Sequence, residues 1–298
     1  KMNTHLMTTI KGINNFLNTN NEPPQDLLEN LVLELEVSKL YIPAIHEDDH
    51  IIFEHLESKE GIKILPLYSS KENYSGDNEL TDNGISYYAD IILELDFEGA
   101  VINPYDDSFF ISRDLMLNFK EKSSQLEDEV CDVYELKNIS REVKNEELLK
   151  FIQNDYNFNN FTGFIDKLKD VILLNVVSSH NDLSQYAFDG VLVTLDVGGF
   201  DLSVKTSGVE KYGVLFTSLD AIKGTYDENS GLYYYYQIAS LKNLFEYILM
   251  NDLDGIIINP ALDDYYVPRN ILLDIYCNHK DLIDNPKYRY GLHYAFII

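Results

Sequence analysis

The chain has 298 residues, 45% of them hydrophobic, and this length suits two domains of about 100–150 residues each. A formal charge of −27, from 50 acidic and 23 basic residues, disfavours nucleic acid and anionic membranes as partners because both repel a negative surface. With two cysteines and no long apolar run, the composition predicts a cytoplasmic protein with unpaired thiols and no membrane span.

The first part of the chain predicts a short arm followed by a first domain. Residues 1–24 form the arm, in which an amphipathic stretch at 10–17 is followed by a breaker segment that ends at Pro23-Pro24. The domain covers 25–120, where helical spacing and short apolar runs alternate. The predicted helices are 25–35, 85–95 and 113–119, and the predicted strands are 39–45, 51–54, 62–68, 99–102 and 108–111.

The rest predicts a polar linker and a second domain. The linker, 121–160, holds a strand-like run at 130–136 and a helix at 146–152. The second domain covers 161–298 and includes a predicted hairpin, 191–196 with 201–205, joined through Gly198-Gly199. Its other predicted helices are 161–168, 238–250 and 268–276, and its other strands are 171–177, 212–218, 255–258, 265–267 and 288–298.

An internal repeat links the two domains. Residues 97–104, Phe-Glu-Gly-Ala-Val-Ile-Asn-Pro, return at 253–260 as Leu-Asp-Gly-Ile-Ile-Ile-Asn-Pro, and the match continues to an arginine in both. The repeat predicts an α+β fold of two tandem homologous domains, each a mixed or antiparallel sheet with helices in the rough order αβββαβ βα.

The spacing within the repeat differs between its copies. Ser69 and Thr217 are 148 positions apart, whereas Asn103 and Asn259 are 156 apart. The second copy is therefore eight residues longer between these points, and the insertion is predicted around residues 227–236.

Four segments of the first copy resemble the SseB N-terminal domain family. They are Leu40–Pro43, Leu65–Ser70, Glu98–Pro104 and Phe109–Arg113. The second copy repeats the pattern at 215–218 and 254–260, but its first strand, 171–177, has no proline. The resemblance implies soluble α+β domains without an established reaction.

The repeated Asn-Pro turns are the first candidate site. The turn residues are Gly99, Asn103, Pro104, Gly255, Asn259 and Pro260, and the nearby ligand candidates are Asp107, Arg113, Asp263 and Arg269. Carboxylate and amide oxygens could hold a divalent ion such as calcium, and arginine could bind an anion. The favoured interpretation is structural, with Asn and Pro fixing a turn, Gly relieving a close approach and Arg in an ion pair.

Catalytic and metal-binding signatures are weak. Cys131 and Cys277 lack a recognisable histidine motif, and Ser69-Ser70 and Thr217-Ser218 suit helix caps. Residues 46–50, His-Glu-Asp-Asp-His, have ligand chemistry but are predicted as a hairpin tip. No catalytic residue and no cofactor is predicted.

Consecutive tyrosines form the second candidate site. Tyr233, Tyr234, Tyr235 and Tyr236 cannot all face inward on a regular element, so part of the run should be exposed. Exposed tyrosine is a favoured anchor at protein interfaces. The sequence predicts a binding module that contacts another protein or a second copy of itself. The alternative is a small-molecule or divalent-ion sensor, or an enzyme, with its site at the Asn-Pro turns.

Overall fold

The computed structural model describes residues 3–47, 50–120, 131–155, 159–226 and 230–298. The chain divides into two compact units, a first unit of Lys1–Ser124 with Met250–Asp252 and a second unit of Gln125–Leu249 with Leu253–Ile298. Helices and strands occur in both, so the fold class is α+β. No helix among the described residues has the length and apolarity to cross a bilayer.

The first unit begins with two helices and continues with strands that enclose a third helix. Its elements are α1 Thr4–Asn18, α2 Gln25–Val37, β1 Lys39–Glu47, β2 His50–Phe53, β3 Leu56–Glu57, β4 Lys63–Leu67, β5 Glu79–Gly84, α3 Ile85–Glu94, β6 Gly99–Ile102, β7 Phe109–Ser112 and α4 Arg113–Leu117.

Two strand groups meet in this unit. One has the order β2-β1-β5 and the other the order β3-β4-β6-β7, with β4 parallel to β6 and the other pairs antiparallel. A backbone bridge between Tyr41 and Tyr68 joins β1 to β4. The strands therefore run in the continuous order β7-β6-β4-β1-β5.

The second unit is larger and opens with helices. The remaining elements are α5 Val133–Glu142, α6 Glu146–Asn154, α7 Phe161–Asp166, β8 Leu174–Ser179, β9 Val191–Val193, α8 Thr194–Val197, β10 Asp201–Leu202, β11 Val204–Ser207, β12 Glu210–Phe216, α9 Leu219–Lys223, β13 Tyr233–Ile238, α10 Leu241–Met250, β14 Gly255–Ile258, β15 Tyr265–Pro268, α11 Arg269–Asn278, α12 Lys280–Ile283 and β16 Tyr294–Ile297. The main strand order is β15-β14-β12-β8-β13-β16-β9.

The two units share a five-strand order. The second unit has β15-β14-β12-β8-β13, with β12 parallel to β14 and its other pairs antiparallel, as in the first unit. The register matches as well, because Leu67 pairs with Ile102 and Leu215 pairs with Ile258. In this register Val176 of the second unit, which pairs with Tyr236, corresponds to Pro43 of the first unit, which pairs with Leu80.

The register also shows where the second unit has more residues than the first. Glu79 lies opposite Ala44 and Tyr235 lies opposite Val177. Eight residues separate Ser70 from Glu79, and sixteen separate Ser218 from Tyr235. The extra residues thus precede Tyr235, and positions 227–229 of the predicted segment lie outside the described residues.

Three sequence-based expectations about organisation need correction, and the first concerns the N-terminal arm. Helix α1 buries Leu6, Ile10 and Ile13, and all three belong to the core of the first unit together with Leu35 of α2. Apolar residues at helical spacing give α1 one face that must pack against other elements. The segment is therefore part of the domain.

The predicted linker is the second correction. Position 130 of the predicted strand-like run 130–136 lies outside the described residues, and 133–136 are instead the start of α5. There the carboxylate of Asp132 accepts a hydrogen bond from the Tyr134 backbone N–H. Leu136 joins the core of the second unit. Helix α6 is confirmed, and it buries Leu148 and Ile152.

The third correction concerns the predicted hairpin around Gly198-Gly199. Strand β9 pairs with β16, β10 pairs with β8, and β11 pairs with β12. Residues 194–197 form the short helix α8. The first two of these strands pair with strands distant in sequence, and the local hairpin that the Gly-Gly turn suggested does not form.

The burial of α1 gives a stability test. We expect Ile10→Ala to lower the free energy of unfolding by about 2–4 kcal/mol, because it leaves a cavity in a packed core. Leu17→Ala on the same helix should change it by less than about 0.5 kcal/mol, since Leu17 is 51% exposed. Urea unfolding followed by circular dichroism measures both variants. Equal, small effects would mean that the segment is a loose arm.

Candidate functional site

Each Asn-Pro turn is held by a buried amide clamp. Asn103 Oδ1 accepts from the Ser69 backbone N–H at 3.0 Å, and its Nδ2 donates to Ser69 Oγ at 2.9 Å. Asn259 makes the same pair of bonds with Thr217, at 3.0 and 2.8 Å. Each clamp adds side-chain hydrogen bonds beyond the last backbone hydrogen bond between the two parallel strands. Both the oxygen and the nitrogen of each asparagine amide have a partner.

The backbone at the clamp requires an unusual conformation. Asn103 and Asn259 have φ of 46° and 50°, a left-handed region that asparagine tolerates better than most residues. Pro104 and Pro260 follow, and the turn closes when the N–H three residues after each asparagine donates to its carbonyl. This geometry supports the structural interpretation of both turns.

The two repeated glycines are needed for a close approach. A Cβ on Gly99 would lie 2.2 Å from the Ile111 carbonyl oxygen, and one on Gly255 would lie 2.2 Å from that of Val267. Such a distance is well inside van der Waals contact, and both φ angles are positive. Glycine therefore lets β6 and β14 approach their neighbouring strands.

The repeated arginines bind backbone carbonyls at the end of a helix. Arg113 donates to the carbonyls of Ile92 and Phe97, both at 2.8 Å, at the C-terminus of α3. Arg269 donates to those of Leu249, at 3.2 Å, and Leu253, at 2.8 Å, at the end of α10. A cation there complements the helix dipole and the unpaired carbonyls. These bonds give both arginines a structural task, and Arg113 also lies 3.9 Å from the exposed carboxylate of Asp96, an acidic neighbour of the kind expected.

The acidic candidates are also engaged within their own units. Asp107 forms a half-exposed ion pair with Lys11 at 3.1 Å. Asp263 accepts from the side-chain amides of Asn259, at 2.8 Å, and Gln153, at 3.3 Å. The structure therefore does not bring Asp107 to Arg113, or Asp263 to Arg269, as a ligand site would need.

Helix capping is confirmed at one of the two expected positions. Ser218 Oγ accepts from the Ala221 N–H at the start of α9. Ser70 makes no such bond to the short 3-10 helix Lys71–Asn73, although its hydroxyl contacts Asn73. The residues before them, Ser69 and Thr217, serve the asparagine clamps.

The tyrosine run lies on β13 and passes from an exposed to a buried environment along the strand. Tyr235 and Tyr236 are 2% and 3% exposed, whereas Tyr233 is 46% exposed and Tyr234 is half-buried. The Leu183 backbone N–H donates to the phenol oxygen of Tyr235 at 2.8 Å. A surface contact can therefore use Tyr233 and Tyr234, while Tyr235 and Tyr236 belong to the core.

Tyr233 and Tyr234 line a cleft of about 610 Å³ in the second unit. Its other lining residues are mostly apolar or aromatic and come from α9, the segment before β13, and the residue after β16: Ile222, Lys223, Tyr226, Gly231, Leu232 and Ile298. This set is named the aromatic cleft. The sequence indicates its tyrosines by their repetition but gives no signal for the residues of α9 or for Ile298.

Packing fixes the inner wall of the aromatic cleft. The rings of Tyr226 and Tyr234 lie with centroids 4.3 Å apart, and Tyr226 also packs against Phe216 at 5.8 Å. Burial, and then the neighbouring Tyr234, raise the pKa of Tyr226 to about 12, so its phenol is neutral at pH 7. Lys223 is exposed and is the charged residue of the lining. The cleft therefore offers aromatic surface with one cation beside it.

A second cleft, of about 700 Å³, has a different character. Polar and acidic residues line it, among them Asn181, Asp182, Gln185 and Asp196. Asp182 accepts from the Ser184 N–H, and this local turn accounts for its position. The aromatic cleft is the better candidate for binding, because mostly apolar lining with few polar groups is typical of ligand and anchor sites.

Metal and nucleophile chemistry receive little support from the geometry. Within the described residues, no group of three or more His, Cys, Asp or Glu side chains is arranged to hold a metal ion. Burial, followed by the hydrogen bond to Glu135, raises the pKa of the Cys131 thiol to about 11, which disfavours the reactive thiolate. The ion-binding alternative therefore stays a prediction without a defined ligand set.

Comparisons of the chain with family models, curated proteins and solved structures return no match. The resemblance to the SseB N-terminal domain family therefore stays a prediction.

The clamp gives a second stability test. We expect Asn103→Ala to lower the free energy of unfolding by about 2–4 kcal/mol, since it leaves the buried Ser69 N–H unpaired and strains a left-handed residue. Asn20 has φ of 55° but is exposed, so Asn20→Ala isolates the backbone cost, at most about 1 kcal/mol. Urea denaturation compares the two variants, and equal losses would show that the side-chain bonds contribute nothing.

Proposed function

We propose that this protein acts by binding, as an interaction module whose aromatic cleft accepts an apolar side chain of a partner protein. The observation that carries the proposal is the half-exposed aromatic surface of Tyr233 and Tyr234 beside Leu232 and Ile298. Tyrosine in such a position combines a large apolar contact with little loss of side-chain entropy on binding. The repeated turn residues leave no comparable opening, because their polar atoms are bonded internally.

Charge suggests the chemistry of the partner. A net charge of −27 gives a field that accelerates encounter with a basic surface and repels an acidic one. Lys223 at the cleft disfavours entry of a second cation. The partner that fits is a basic protein surface that presents one apolar or aromatic side chain, with that side chain in the cleft and the cations outside.

We further infer that the two units descend from one SseB-like ancestor and that binding belongs to the second. The shared strand order, register, amide clamps and arginine contacts support common descent. The aromatic cleft draws most of its lining from 222–234, the segment in which the second copy is longer. An insertion in one copy is an economical way to add a binding surface without disturbing the scaffold.

The test uses a lysine-rich peptide with one central tryptophan. The protein has no tryptophan, so emission from the peptide reports its environment without interference. We expect a shift to shorter wavelength on binding, and a peptide with alanine in place of tryptophan should compete about tenfold more weakly.

The variants for this test follow from burial. Tyr233→Ser should weaken binding of the tryptophan peptide about tenfold, with little change in stability because Tyr233 is exposed. Tyr105→Ser, which removes an 82% exposed tyrosine of the first unit, is the matched control and should bind normally. If neither the loss of the tryptophan nor Tyr233→Ser weakens binding, the interaction depends on net charge alone and the proposal is contradicted.

A further inference from the structure

A two-stranded ribbon extends from the first unit. Strand β2 pairs only with β1 in the described part of the chain and is the last strand in the order β2-β1-β5. The pairs are Ala44 with Phe53, Ile45 with Ile52, His46 with Ile51, and Glu47 with His50. Burial ends at Ala44, and the later residues of β1 are exposed. The outer half of the ribbon therefore stands in solvent.

The ribbon carries exposed isoleucines on both faces. Ile45, Ile51 and Ile52 are 42%, 51% and 46% exposed. The register puts Ile45 beside Ile52 on one face, while Ile51 and Phe53 lie on the other, where Phe53 meets Tyr87. Edge strands usually avoid pairing by carrying lysine or proline. Strand β2, His-Ile-Ile-Phe, has neither.

The hydrogen-bonding groups of the free edge follow from the ladder. The Glu54 N–H donates to the Pro43 carbonyl at 3.1 Å, so residue 54 directs its backbone towards β1. Alternation along a strand then directs His50 and Ile52 inward as well. The N–H and C=O groups of Ile51 and Phe53 point outward, ready to pair with another strand.

We propose that β2 pairs antiparallel with β2 of a second copy of this chain, about a two-fold axis at Ile52. Matching the outward groups places Ile51 opposite Phe53 of the partner subunit and Ile52 opposite Ile52 of the partner subunit. This contact is isologous, as in most homodimers. It joins the two ribbons into one four-stranded sheet.

The side chains in this register are self-complementary. His50 lies opposite Glu54 of the partner subunit, and symmetry repeats the pair, so each end of the contact joins a basic side chain to an acidic one. Tyr74 and Asn78 donate to Glu54 Oε2 at 3.0 and 3.1 Å and hold that carboxylate at the base of the ribbon. Between these ends, Ile45 and Ile52 of both copies form a continuous apolar row.

A second copy is the favoured occupant because this short segment is complementary to itself, with His50 at one end, Glu54 at the other and apolar side chains between them. The ribbon between His50 and Phe53 carries no acidic side chain. An unrelated strand would need the same central apolar pair and a matching acid and base at its ends, which the symmetric arrangement supplies from one sequence.

Sedimentation equilibrium of the full chain tests the dimer. We expect reversible dimerisation, and Ile52→Lys should raise its dissociation constant at least about tenfold, because two lysines would then face each other at the axis. Val209→Lys adds the same charge at a 96% exposed position of the second unit and should leave the dimer almost unchanged. A monomeric wild type, or a dimer that Ile52→Lys leaves intact, would overturn the proposal.

Cross-linking tests the register itself. In the proposed dimer Ile52 and its mate form a non-hydrogen-bonded pair with Cα atoms about 4.5 Å apart, within reach of a disulfide. Ile52→Cys should therefore give a 52–52 disulfide on mild oxidation, identified by peptide mass spectrometry. Ile45→Cys, with two strands between it and its own mate, should not give a 45–45 bridge. Equal yields from both variants would exclude this register.

Discussion

The fold of each unit depends on a side-chain amide that continues a parallel strand pair. Two parallel strands cannot be joined by a tight hairpin, so a helix must connect them and their ends must be secured separately. Asn103 and Asn259 secure one end by bonding to Ser69 and Thr217 across the gap. At the other end, the arginine after β7 or β15 binds the last carbonyls of the connecting helix. Sheet and helix are thereby fixed together.

The repeated residues are poor candidates for catalysis or ligand binding because they have structural roles. Gly99 and Gly255 relieve a backbone clash, the asparagines and prolines form the turn, and the arginines bind helix ends. Their polar atoms face one another within a unit. The two surfaces proposed to bind partners lie where the units differ, in the aromatic cleft of the second and on the projecting ribbon of the first.

The sequence predicted the repeated elements well because each has a local signal. Apolar residues at helical spacing marked α3 and α10, and the Asn-Pro turn marked the ends of β6 and β14. Predictions went wrong where long-range packing decides. The apolar run near Val133 was too short for its pattern to distinguish a helix from a strand. Strand β9 pairs with β16, which lies about a hundred residues away along the chain.

The candidate site was predictable only in part, again for physical reasons. Four tyrosines in sequence indicate some exposure, but strand alternation combined with burial on both faces decides which ones are exposed. Tyr235 and Tyr236 are core residues, although the sequence treats them like Tyr233. The contributions of α9 and Ile298 to the aromatic cleft depend on tertiary structure and leave no pattern in the sequence.

Amide hydrogen exchange at Ser69 and Thr217 tests the central claim most directly, namely that an asparagine side chain secures each strand pair. The account predicts that both amides exchange slowly in the native protein. Asn103→Ala should release only the amide of Ser69, and Asn259→Ala only that of Thr217. Fast exchange of either amide in the unaltered protein, at the rate of an exposed loop, would contradict the account.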